Sequence, residues 1–162
     1  MPPATAGRLP TWRASLMARV DFAFGAPDRL LTACEVVAKH YLANHPVVVY
    51  SQNARLLERF DQLLWKFEPT AFVPHTYADD PLAAQTPVLL TSAAPQPSMV
   101  SGDDAAWLLN LDEQCPATAG QFERILEIVP LDDDEVRAAR QRWKHYKAEG
   151  HTLHAHNLSE SN

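Results

Sequence analysis

The most constraining feature of the chain is an uninterrupted apolar run, Pro46–Tyr50 (PVVVY), set between two segments of helical periodicity. A run with no polar alternation reads as a strand covered on both faces, as in a parallel sheet sandwiched by helices. Before it, Leu30, Leu31, Cys34, Val37, Ala38, Tyr41 and Leu42 recur at helical spacing. Ala26-Pro27-Asp28 opens that helix, with proline suited to the first turn. After it, Leu56, Leu57, Phe60, Leu63 and Leu64 form one helical face, which Ser51 is placed to cap. Arg19–Phe24 (RVDFAF) alternates and reads as a strand. Strand, helix, strand, helix in this order predicts a parallel sheet joined by crossovers.

Further along, Pro87–Thr91 (PVLLT) predicts a third strand, and Asp104–Asn110, containing WLLN, a fourth. Pro116–Leu126 reads as a helix and Glu127–Val129 as a short fifth strand. Asp132–Glu149 reads as the final helix, with Gly150 as its stop. The expected fold is α/β and three-layered: a mostly parallel five-stranded sheet with helices on both faces. Residues 17–150 are expected to form a single domain. Residues 1–16 carry Arg8, Arg13, three prolines and no acid. They are expected to be a disordered extension, or to precede a true start at Met17. Residues 151–162 are expected to be a flexible, polar tail.

Such a fold invites a nucleotide, and the glycines argue against one. A dinucleotide site needs GxGxxG after the first strand, so that the backbone can approach the pyrophosphate. Here the turn reads Phe24-Gly25-Ala26-Pro27-Asp28, and the chain's five glycines are scattered. Proline removes an N–H donor and Asp28 brings a negative charge to the phosphate position. No GxxxxGK[ST] and no GxSxG occurs. The expected fold is therefore Rossmann-like without a nucleotide-binding loop, and no cofactor is expected. Cys34 falls on a buried helical face and reads as a core residue. Cys115 precedes Pro116 in a loop, with nothing nearby to lower its pKa. His151, His154 and His156 lie in the polar tail, where rigid second-shell support is lacking, so no metal is expected. Asp132–Glu135 reads as an acidic first helical turn that complements the helix dipole.

Two segments ask for a partner. Val136–Lys147 (VRAARQRWKHYK) holds Arg137, Arg140, Arg142, Lys144 and Lys147 and no acid. The chain as a whole is −6, so this stretch leaves −11 on the remainder. An acidic body is poorly suited to duplex DNA, whereas a small basic patch suits an acidic peptide. Arg140, Lys144 and Lys147 share a helical face, with Trp143 adjoining, and Arg with Trp is a combination typical of binding hot spots. The second segment is Leu64–His75 (LWKFEPTAFVPH), where Trp65, Phe67, Phe72 and Val73 surround two prolines. It either folds back on the core or exposes an apolar patch.

The segments LLWKFEPTAFVPH, PVLLT, WLLNL and EIVPLDDDEVRAARQRWKHYKAEG, in this order, resemble the chi subunit of bacterial DNA polymerase III. The resemblance covers about Met17 to Gly150. It implies a non-catalytic, cytoplasmic adaptor that captures the acidic C-terminal tail of single-stranded-DNA-binding protein. It further implies a link to the clamp loader through the psi subunit, with DNA reached indirectly. By position, Val129 would line the tail pocket. Arg140 and Lys144 would meet the carboxylates, Trp143 would pack on the apolar last residue, and Lys147 would be a rim charge. Trp65, Phe72, Val73 and Pro74 would contact psi or an alternative partner. Val136 departs from the family, standing where a basic residue can occur, and Trp143 stands where tyrosine is common. The alternatives are direct single-strand binding through the Arg/Trp face and a metal-assisted hydrolase using Asp132–Asp134 and nearby histidines. Consecutive helical carboxylates diverge by about 100°, which weakens the latter.

Overall fold

The computed structural model describes residues 18–67, 72–100 and 106–158. The expected extension at 1–16 lies outside them. The elements run β1 (Arg19–Ala26), α1 (Arg29–Leu42), β2 (Val47–Tyr50), α2 (Ala54–Lys66), β3 (His75–Tyr77), β4 (Val88–Thr91), β5 (Trp107–Asn110), β6 (Arg124–Pro130), α3 (Asp133–Ala148) and β7 (Thr152–Asn157). The sheet order is β3-β4-β2-β5-β6-β1-β7, and every pairing is parallel.

The run at β2 behaves as its composition requires. Val47 and Val49 face one core with Val37, Leu57 and Phe60 from α1 and α2. Val48 and Tyr50 face the other, with Ala139 and Tyr146 from α3. All four β2 residues are buried, as expected for a central strand with parallel neighbours on both sides. The result is a three-layer α/β fold.

Among the described residues the sheet has seven strands, not five. The first strand not anticipated is β3, three residues at an edge, in a proline-bearing segment too short to show alternation. The second is β7. The segment after Gly150, expected to be a frayed tail, pairs with β1 from Arg19↔Thr152 to Phe24↔Asn157. Gly150 explains the ordering. It adopts φ 92°, a left-handed conformation that glycine takes without penalty. Its N–H donates to Lys147 O, and the His151 N–H donates to Tyr146 O. This paired arrangement ends α3 and reverses the chain. His151 is then buried, and its Nδ1 accepts the Ala18 N–H at 2.8 Å. An edge strand bonded on one side needs no continuous apolar run, so its polar sequence concealed it.

Two other expectations are corrected. Pro116–Leu126 is not a helix: it holds only a 3-10 turn at Ala119–Gln121, and β6 already begins at Arg124. Ile125, Leu126, Ile128 and Val129 are buried between β5 and β1, where a strand covers both faces. Ser51 does not cap α2. Asn53 does, accepting the Arg55 and Leu56 N–H groups at 3.1 Å. Ser51 instead donates to Asp112 and accepts the Asn53 N–H.

Candidate functional site: an apolar cleft beside the basic helix

The basic helix is fixed to the sheet by a buried network. Asp132 caps α3, accepting the Glu135 N–H, and acids fill the first turn. At the centre, Glu127 of β6 is fully buried and holds Arg142 Nε at 2.9 Å. The Tyr146 hydroxyl and Asn110 Nδ2 each donate to its other oxygen at 2.8 Å. Arg142 Nη1 also donates to Glu113 O at 3.1 Å. Burial, with Glu127 alongside, pushes the Tyr146 hydroxyl well above its ordinary value. Arg142 is therefore a structural cation, although in sequence it looks like one more member of the basic patch.

With α3 anchored on that side, its opposite edge overhangs β1 and β7 and leaves a cleft of about 240 Å³. The floor is Phe22 and Phe24 of β1, Val129 of β6 and Ala155 of β7, and the wall is Val136, Ala139, Arg140 and Trp143 of α3. Phe22 and Trp143 pack with ring centroids 5.1 Å apart. Arg140 is exposed and is the one charged residue in the lining. The cleft is thus apolar with a guanidinium at its mouth. Such a site can bury an apolar group while a planar, five-donor cation binds an adjoining carboxylate bidentately.

Of the five residues assigned to the pocket, Val129, Arg140 and Trp143 come together here. Lys144 borders a neighbouring cavity of about 470 Å³ with Glu113, Cys115 and Gln141. Lys147 is exposed and lies one helical turn beyond Trp143, outside the lining. Phe22, Phe24, Ala139 and Ala155 were not anticipated, and Val136 was noted only as a departure from the family pattern. Val136 carried a signal, because it precedes Arg140 by four and Trp143 by seven on one helical face. Ala155 carried none, since its place depends on β7 pairing with β1.

The second surface is at the far end of α2. Trp65 is 52% and Phe72 64% exposed, with ring centroids 5.4 Å apart. Trp65 also packs on His75 at 4.3 Å. His75 is buried, with Val73 O at 2.8 Å and Asp61 Oδ1 at 2.9 Å. Val73 is buried in the core and Pro74 is half-buried. The outward apolar surface is therefore the Trp65–Phe72 pair, while residues 68–71 lie outside the described ones.

The remaining candidates have structural partners. The Asp28 carboxylate accepts the Leu31 N–H at 3.1 Å, occupying the α1 terminus where a phosphate would bind. Burial pushes the Cys34 thiol up to about 12. Burial and Glu127 do the same to Cys115, also to about 12. His156 Nε2 lies 2.9 Å from Asp21, which also bonds Arg19 and Arg124. Burial raises the Asp21 pKa, but these hydrogen bonds outweigh it and hold the carboxyl below its ordinary value. Among the described residues no cluster of three or more His, Cys, Asp or Glu could hold a metal ion. Among them, too, no helix is long and apolar enough to cross a membrane.

Residues 17–154 match the model of the family described as DNA polymerase III chi subunit, HolC. The DNA polymerase III subunit chi of Pseudomonas aeruginosa is 29% identical over 147 residues, covering 88% of this chain and 98% of the relative. That of Haemophilus influenzae is 25% identical, covering 78% of this chain and 85% of the relative. The Escherichia coli subunit is 28% identical, covering 74% and 79%. The chain belongs to the chi subunit family of DNA polymerase III, whose setting is DNA replication.

Proposed function

We propose that the chain is a non-catalytic, cytoplasmic adaptor of the replicase that captures the acidic C-terminal tail of single-stranded-DNA-binding protein. The observation that carries this reading is the apolar cleft with Arg140 as its single lining charge. The last apolar side chain of the tail enters between Trp143, Phe24 and Val136, and its terminal carboxylate pairs with Arg140. Lys144 and Lys147 are exposed rim charges that attract the acidic residues upstream. Rim charges of this kind act mainly on the association rate. Because the remainder of the chain is acidic, the adaptor reaches DNA through its partner. The exposed Trp65–Phe72 pair serves the psi subunit, or another partner using the same patch, and ties the adaptor to the clamp loader.

Fluorescence titration with the tail peptide and with a single-stranded oligonucleotide, each at low and high salt, tests the reading. Peptide binding without oligonucleotide binding is the expected result. Oligonucleotide binding alone would favour direct single-strand recognition instead.

A further inference from the structure

The cleft is lined in part by the last strand of the sheet, through Ala155. β7 is the last strand of the sheet and pairs with β1 alone among the described residues. The Thr152 N–H donates to Ala18 O, so the backbone groups of Thr152 turn inward. By strand alternation, those of Leu153 and Ala155 point outward. Neither of these N–H groups has a partner among the described residues. Edges are ordinarily blunted by lysine, proline or a bulge. TLHAHN has no lysine and no proline, and its register with β1 is unbroken. Ala155 also lines the cleft beside Arg140, and its small side chain puts little bulk between the edge strand and the cleft.

We propose that an acidic peptide with a free C-terminal carboxylate docks as an eighth, parallel strand on the outer edge of β7, its last side chain turned into the cleft. This rests on the cleft being the carboxylate site proposed above. Charge and spacing set the direction. α3 starts just after the C-terminal end of β6 and returns to the start of β7, so it runs against the strands. Arg140 and Lys147, seven residues apart, are separated by about 10.5 Å along the helix axis. Three residues of extended chain span about 10 Å. A carboxylate at Arg140 therefore puts the acid three residues upstream level with Lys147, with the peptide running in the direction of β7. No carboxylate lines the cleft to oppose it. Neighbouring residues on paired strands project to the same face, so the peptide residue beside Ala155 points toward α3.

The test uses the full chain and a synthetic nine-residue peptide, acidic throughout except for a C-terminal phenylalanine with a free carboxylate. Hydrogen exchange at the Leu153 and Ala155 amides is expected to slow at least tenfold at saturating peptide. A series of peptides N-methylated at successive amides is expected to lose about tenfold in affinity at alternate positions only, which requires no variant of the protein to fold. Ala155→Pro, which removes one outward donor, is expected to weaken binding by a similar factor. Peptide binding that depends on Arg140, with unchanged exchange at both amides and no alternation, overturns edge pairing and leaves the cleft reading standing. Failure of the peptide to bind at all overturns both. Slow exchange at the two amides without peptide, together with a doubled solution mass, would assign the edge to a second copy and also overturn the proposal.

Discussion

Replacing Arg142 by methionine isolates what anchors the basic helix. Methionine keeps much of the stem volume and packs adaptably, so the main loss is the charge. Glu127 is fully buried and Arg142 is 3% exposed, with 2.9 Å between them. Tyr146 and Asn110 still donate to the other Glu127 oxygen and Arg29 remains as a more distant charge, but no cation is left hydrogen-bonded to the carboxylate. Removing one partner of a buried pair costs about 3–5 kcal/mol, because the other charge is left uncompensated. With a urea dependence of about 2 kcal/mol per molar, the unfolding midpoint should fall by roughly 1.5–2.5 M. The double variant Glu127→Gln/Arg142→Met removes both charges and should be more stable than Arg142→Met alone. Arg140→Ala, at an exposed position, should stay within about 0.5 kcal/mol of the parent chain. An Arg142→Met midpoint within about 0.3 M of the parent would refute the assignment of Arg142 as anchor.

Two further outcomes follow from burial and charge. Burial, and then the nearby Arg124 charge, bring the His40 imidazole down to about 4. Between its ordinary value near 6.5 and about 4, the unfolded chain binds a proton that the folded chain does not, so stability falls as pH drops through that window. His40→Gln should flatten this dependence in urea titrations at pH 7, 5.5 and 4.5, and an unchanged slope would count against it. Trp65→Ala and Phe72→Ala should lower the unfolding midpoint less than Arg142→Met does, because both rings are more than half exposed. Each should reduce recovery of the psi subunit on co-purification. Full recovery with both variants would remove the patch from the interface.

The parallel core was legible because β2, β4 and β5 cannot avoid being apolar: they lie inside the sheet with helices or loops on both sides. The edges were not. β3 is three residues long, and β7 needs only one bonded side, so neither carries the periodicity that marks an interior strand. α3 was legible in position but not in its division of labour. Arg140 and Arg142 differ by two residues, which points them about 200° apart on a helix. One therefore faces the cleft and the other faces Glu127, a contact fixed only by tertiary packing. The cleft floor shows the same limit. Phe22 and Val129 meet because β1 neighbours β6, a strand order that local sequence does not encode.

The proposed function requires Arg140 and the cleft beside it to recognise a free carboxylate next to an apolar residue. Calorimetric titration of the chain with intact single-stranded-DNA-binding protein, and with the same protein lacking its last residues, measures this directly. Binding should require the tail, and Arg140→Ala should weaken it by about 1.5–3 kcal/mol, roughly 10- to 150-fold in Kd, with the fold intact. Equal affinity of Arg140→Ala and the parent chain, or equal binding of the tail-less protein, would remove Arg140 and the cleft as the tail site.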